Sequence, residues 1–71
     1  MTYRVVTELI REGQYVAEVM VELEYSDLSW SPTMSLNDAE KLERVMFALR
    51  RGEIAEAAKE AKIFELLPLA G

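Results

Sequence analysis

The 71-residue sequence contains no cysteine and no histidine. The first absence rules out a disulfide framework, thiolate zinc sites and cysteine nucleophiles. The second removes every histidine-based triad, proton shuttle and imidazole metal ligand. Glycine is scarce, at three residues (Gly13, Gly52 and Gly71), so no phosphate-cradling glycine-rich loop can be built. No apolar run approaches the 18 residues or so of a membrane span, and the first ten residues lack the apolar core of a signal peptide. A basic stripe is also missing. The charge is −3 over residues 1–25, zero over 26–52 and −2 over 53–71, and nucleic-acid binding requires the opposite electrostatic footprint. These exclusions predict a chain with no nucleic-acid partner, no membrane partner, no cofactor and a cytoplasmic location.

What is present is 51% hydrophobic and 30% charged residues, with a formal charge of −5. That is the composition of a small acidic globular domain covering residues 1–71. A single core in so short a chain supplies only about 3–5 kcal/mol after entropy is subtracted. Small domains commonly add disulfides, metal or oligomerisation to this. Disulfides are impossible here, which raises the weight of a homodimer.

Two stretches alternate with the period of a strand. Tyr3, Val5, Thr7 and Leu9 fall on one side of residues 3–10, and Arg4, Val6, Glu8 and Ile10 on the other. Over residues 14–25, Tyr15, Ala17, Val19, Val21, Leu23 and Tyr25 alternate with Gln14, Val16, Glu18, Met20, Glu22 and Glu24. A two-residue Glu12-Gly13 turn mixes apolar and charged faces. A three-residue loop, with Gly13 as the left-handed residue of a bulge, pairs Leu9 with Tyr15, Thr7 with Ala17, Val5 with Val19 and Tyr3 with Val21. This second register predicts a core of Tyr3, Val5, Leu9, Tyr15, Val19 and Val21. It leaves Val6, Ile10, Val16 and Met20 on the other face among Arg4, Glu8, Glu18 and Glu22. That face is either a half-wet sheet surface with tolerated apolar residues or a surface for a dimer or partner.

Residues 26–35 read as a loop, stopped by Ser31-Pro32. Trp30 within it either folds back on the core edge or anchors a partner. Ser35 begins a helix in a capping-box-like pattern with Asp38. Ala39, Leu42, Val45, Met46 and Leu49 form its core stripe, with Leu36 and Phe47 outside that stripe. Glu40 and Arg44 are spaced for an ion pair, Arg50 and Arg51 complement the helix dipole, and Gly52 ends the helix. A second helix is expected over roughly 53–61, with Ile54, Ala57, Ala58 and Ala61 inward. Residues 62–67 read as a short third strand closed by Pro68. The expected fold is therefore α+β, in the order ββααβ, with a hairpin and two helices packed on one sheet face. The candidate interaction surface is Val6, Ile10, Val16, Met20, Trp30 and Phe47.

Catalytic chemistry finds little support. Glu18, Glu22 and Glu24 share a strand face but lie in no cation-binding loop. The Ser29, Ser31, Thr33 and Ser35 cluster has no histidine base and no Ser-x-x-Lys motif, and turn and capping roles account for it. The sequence points to a non-catalytic interaction or regulatory module. The run Gly13-Gln14-Tyr15-Val16-Ala17-Glu18-Val19, followed by Thr33 and Asn37-Asp38-Ala39-Glu40, resembles HicB-type antitoxin domains. Val19-Met20-Val21 stands where that family has a proline-containing strand end. The resemblance implies an antitoxin-like regulator that binds a small basic partner protein.

Overall fold

In the computed structural model, which describes residues 2–27 and 31–70, the chain begins with two eleven-residue antiparallel strands, β1 (Thr2–Glu12) and β2 (Tyr15–Tyr25). A two-residue strand β3 (Thr33–Met34), a fifteen-residue helix α1 (Leu36–Arg50), a single-turn helix α2 (Ile54–Ala57) and a strand β4 (Lys62–Glu65) follow. The α+β fold is as expected, with two differences. The loop before α1 contains β3, and the second helix is one turn where nine residues were anticipated.

Strand β2 is the centre of the sheet. One of its edges carries β1 along the full length. The other carries β4 against Tyr15–Glu18 and β3 against Leu23–Glu24. Between them the edge of β2 pairs with no described strand, and α1 supplies side chains instead. The Glu22 N–H donates to Asp38 Oδ2 at 2.8 Å, and Lys41 Nζ donates to the Met20 carbonyl at 2.6 Å. Two long-range side-chain bonds thus satisfy backbone groups that a strand would otherwise have bonded.

The hairpin corrects the expected register. The turn is the two-residue Gly13-Gln14, and pairing runs from Glu12↔Tyr15 to Thr2↔Tyr25. Gly13 has φ +60°, whereas no described non-glycine residue has positive φ. A left-handed glycine followed by an ordinary residue is the II′ pattern, whose twist suits a hairpin. Relative to the bulged register, β1 is turned over. Val6, Ile10, Glu8 and Glu12 lie on the helix side, opposite Val21, Ala17, Val19 and Tyr15. Tyr3, Val5, Thr7 and Leu9 lie on the other side, where Tyr3, Val5 and Leu9 are exposed.

The core is small. Its buried members are Ala17, Val19 and Val21 from β2, Val45, Ala48 and Leu49 from α1, and Ala57 from α2. Val6, Ile10, Tyr15, Met34, Leu42, Ile54, Ala61 and Ile63 pack around it. The helix stripe was read nearly as observed, although Ala48 belongs to it and Met46 sits at its margin. Among the described residues, valine is the largest fully buried side chain.

Both ends of α1 follow local chemistry. The Ser35 hydroxyl accepts from the Asp38 N–H at 3.1 Å, which is the first half of a capping box. The second half is absent, because the Asp38 carboxylate is turned to β2. At the other end the Gly52 N–H bonds Leu49 O and the Glu53 N–H bonds Ala48 O, with Gly52 at φ +76°. These are the two bonds of a Schellman motif. Arg44 reaches Glu60 with two bonds, at 2.7 and 2.9 Å, instead of the expected Glu40. Arg50 reaches Glu12 at 2.9 Å and so ties the end of α1 to β1.

Candidate interaction surface

Helices cover one face of the sheet. The register fixes what lies on the other. Odd-numbered residues of β1, even-numbered residues of β2, and Lys62 and Phe64 of β4 share the face opposite the helices. Its apolar members form a diagonal band of Tyr3, Val5, Met20, Leu9, Val16 and Phe64. Five of the six are substantially exposed: Tyr3 56%, Val5 58%, Leu9 66%, Met20 54% and Phe64 42%. Val16, between Arg11 and Phe64 in the register, is half-buried.

Antiparallel sheets often leave one face to water, and that face is then polar. Here apolar side chains alternate across strands, so that Leu9 and Val5 both lie diagonal to Met20. The Thr7 hydroxyl donates to Met20 Sδ at 3.1 Å, which holds the thioether across the two strands. Charge is arranged by position. Glu22 and Glu24 lie beside Val5 and Tyr3, while Arg11 and Lys62 lie at the Val16–Phe64 end. Lys62 Nζ stands 5.5 Å from the centre of the Phe64 ring. Glu18 shares the face, opposite Leu9 on one side and Lys62 on the other, so the band is acidic at its Tyr3–Val5 end and carries both signs of charge toward its Val16–Phe64 end.

The six residues singled out from the sequence do not converge. Val16 and Met20 lie in the band. Val6 and Ile10 do not, because the register turns them toward the helices, where they pack on the core. Phe47 is on α1, in the layer on the opposite side of the sheet, with the Arg50 guanidinium 5.8 Å from its ring centre. Trp30 lies outside the described residues. Tyr3, Val5 and Leu9, expected in the core, are members of the surface, and so is Phe64, to which the sequence assigns a strand but no face. The alternation of Tyr3, Val5 and Leu9 was visible, but it was assigned to the core face.

Elsewhere the perturbed ionisable groups have structural partners. The bond from the Glu22 N–H holds the Asp38 carboxyl below its ordinary range, with help from Lys41. Its hydrogen bonds with Arg44 lower the Glu60 carboxyl, and the same contact raises Arg44. Among the described residues, no group of three or more acidic side chains is gathered to hold a metal ion. No described helix is long and apolar enough to cross a membrane. The sequence matches no protein-family model, no curated protein and no solved structure.

Proposed function

We propose that this domain is a non-catalytic protein-interaction module that associates with itself through the sheet layer. The carrying observation is the apolar band of Tyr3, Val5, Leu9, Val16, Met20 and Phe64 on a sheet face that no described element covers. Contiguous exposed apolar surface is costly in water and marks interaction sites. A core whose largest fully buried side chain is valine gains correspondingly from burial between chains.

The test is a dilution series of amide spectra from roughly millimolar to ten micromolar protein, a range that brackets weak to moderate association. Concentration-dependent shifts are expected at Val5, Leu9, Met20 and Phe64, and they should be smaller at α1 residues such as Glu40 and Glu43. Met20→Lys together with Phe64→Lys should weaken the effect while leaving the far-ultraviolet circular dichroism unchanged. Shifts confined to the helix layer, or insensitive to this double variant, would refute the assignment of the surface.

Glu22 and Glu24 beside the band favour a second reading, a regulator that neutralises a small basic partner. Co-expression with a small basic protein encoded next to it would give a stable complex. In that complex the band, rather than α1, is protected from amide exchange.

A further inference from the structure

We infer that β1 pairs edge to edge with a second copy of itself, antiparallel about a two-fold axis at Val6, so that two sheets become one. The inference rests on the self-associating reading above and adds a second contact to it, at the edge beside the open face, with Met20 and Phe64 outside the junction. Strand β1 is the terminal strand of the sheet. Its direction of hydrogen bonding follows from β2. Gln14 O bonds Leu66 N on the β4 side, Met20 O accepts from Lys41 and Glu22 N–H donates to Asp38. Even-numbered residues of β2 therefore point their backbone away from β1, and the odd-numbered ones point toward it. Their partners on β1 are the even-numbered residues. The N–H and C=O groups of Val5, Thr7, Leu9 and Arg11 consequently aim outward along an edge that no described strand pairs.

Natural edge strands are blunted by bulges, proline, lysine or inward-pointing charge. β1 has no lysine or proline, and its pairing with β2 runs through eleven residues without a bulge, so its protection is the charge of Arg4, Glu8 and Glu12 on the helix side. Its side chains, moreover, complement a second copy. Arg4 and Glu8 lie on the same face, equidistant from Val6. Four residues of strand separate them by about 13 Å, which is too far to pair within one chain. Neither forms an ion pair among the described residues, although Glu8 is half-buried. Arg4 rests 5.5 Å from the centre of the Tyr25 ring.

A two-fold axis at Val6 sets Arg4 of each chain opposite Glu8 of the other. It also sets Tyr3 opposite Leu9 and Val5 opposite Thr7 on the open face, and Val6 opposite itself. Moving the axis to Thr7 puts Arg4 opposite Ile10 and Glu8 opposite Val6, which wastes both charges. Moving it to Glu8 opposes two like carboxylates. Only the Val6 axis satisfies both faces of the strand. It also makes the two apolar bands continuous across the junction.

Charge exchange and cross-linking test the pairing. Dissociation constants are measured by sedimentation equilibrium for the wild type, Arg4→Glu, Glu8→Arg and the double exchange, each checked for folding by circular dichroism. Each single exchange places like charges opposite each other twice per dimer and should weaken association about tenfold or more. The double exchange recreates both pairs and should return to within about threefold of the wild type. The chain has no cysteine of its own, so single replacements report the register directly. Val6→Cys is expected to form an interchain disulfide under mild oxidation, because a non-hydrogen-bonded pair brings the two Cα atoms within bridging range. Thr2→Cys and Ile10→Cys, far from the axis, are expected not to.

A wild type that stays monomeric at millimolar concentration overturns the pairing. A dimer that ignores the charge exchanges, fails to cross-link at position 6 and is broken by Met20→Lys with Phe64→Lys also overturns it. In that last case the open face remains the interaction surface and the edge does not.

Discussion

Asp38 shows how one side chain serves two structures. Its N–H is the first donor capped by Ser35, and its carboxylate bonds the Glu22 N–H on β2 and lies 3.5 Å from Lys41. The backbone bond is the larger cause of its lowered pKa, and the lysine is secondary. A carboxyl that binds its proton less readily when folded contributes stability that is complete above its ordinary value of 3.8. That stability is lost as pH falls through the lowered native value. Glu60, lowered by Arg44 from 4.5, acts in the same direction. Asparagine at position 38 can still accept from Glu22 but carries no charge for Lys41. Asp38→Asn should therefore lower the melting temperature slightly at pH 7. It should also make the loss of stability between pH 4.5 and 2.5 shallower, as followed by thermal melts at half-unit steps in that window. A variant with the wild-type acid limb would place the acid sensitivity elsewhere, with Glu60 the next candidate. Neither link was legible in the sequence. The capping pattern of Ser35 and Asp38 was visible, but the gap between β3 and β4 into which Asp38 reaches exists only once three segments have assembled.

Among the elements, the hairpin turn decides which face of β1 meets the core. Gly13 at φ +60° sits at the first central position, where an alanine Cβ would meet no neighbouring atom but would bear the backbone cost of the left-handed region. That cost is about 1–2 kcal/mol for an L-residue. Gly13→Ala should thus reduce the melting temperature by roughly 5–15 °C. Gln14→Ala, at negative φ, should change it little, and differential scanning calorimetry of the two checks this. If the bulged register held instead, the left-handed glycine would lie at the end of the loop and Tyr3, Val5 and Leu9 would be protected. The hairpin, the helix, its glycine stop and the final strand were readable because each rests on local periodicity or capping. The β1 register was not, for a physical reason. Both faces of β1 carry apolar residues, Tyr3, Val5 and Leu9 on one and Val6 and Ile10 on the other, so alternation does not select the buried side. The deciding terms are non-local: Glu12 meets Arg50 at the end of α1, and Val6 and Ile10 meet the core. The candidate surface inherited that error, because every odd-numbered member from β1 had been assigned to the interior.

As a whole, the molecule is a thin plate. Its extents are 48 × 28 × 15 Å and its radius of gyration is 14.4 Å, against about 11 Å for a compact domain of this length. Fifteen ångströms accommodates one sheet and one helix layer; among the described residues no second layer covers the side where the apolar band lies. Two plates joined along β1 would remain thin but would double the sheet and merge the bands. The consequence for stability follows from mass action. If folded chains associate and unfolded chains do not, dilution favours the unfolded state, and the melting temperature depends on protein concentration. With an unfolding enthalpy of about 0.7 kcal/mol per residue, the two chains together unfold with about 100 kcal/mol. Each tenfold rise in concentration should then raise the melting temperature by about 5 °C in the range where the dimer prevails. Exposed Arg4–Glu8 pairs at the junction add a signature that apolar contact alone lacks, since added salt screens them. The concentration dependence should therefore be displaced to higher protein in 0.5 M salt for the wild type and for the double charge exchange, and in the opposite direction for either single exchange, whose like charges are screened. A melting temperature that does not move over two decades of concentration would mean that the plate is stable alone, and self-association would have no part in its folding.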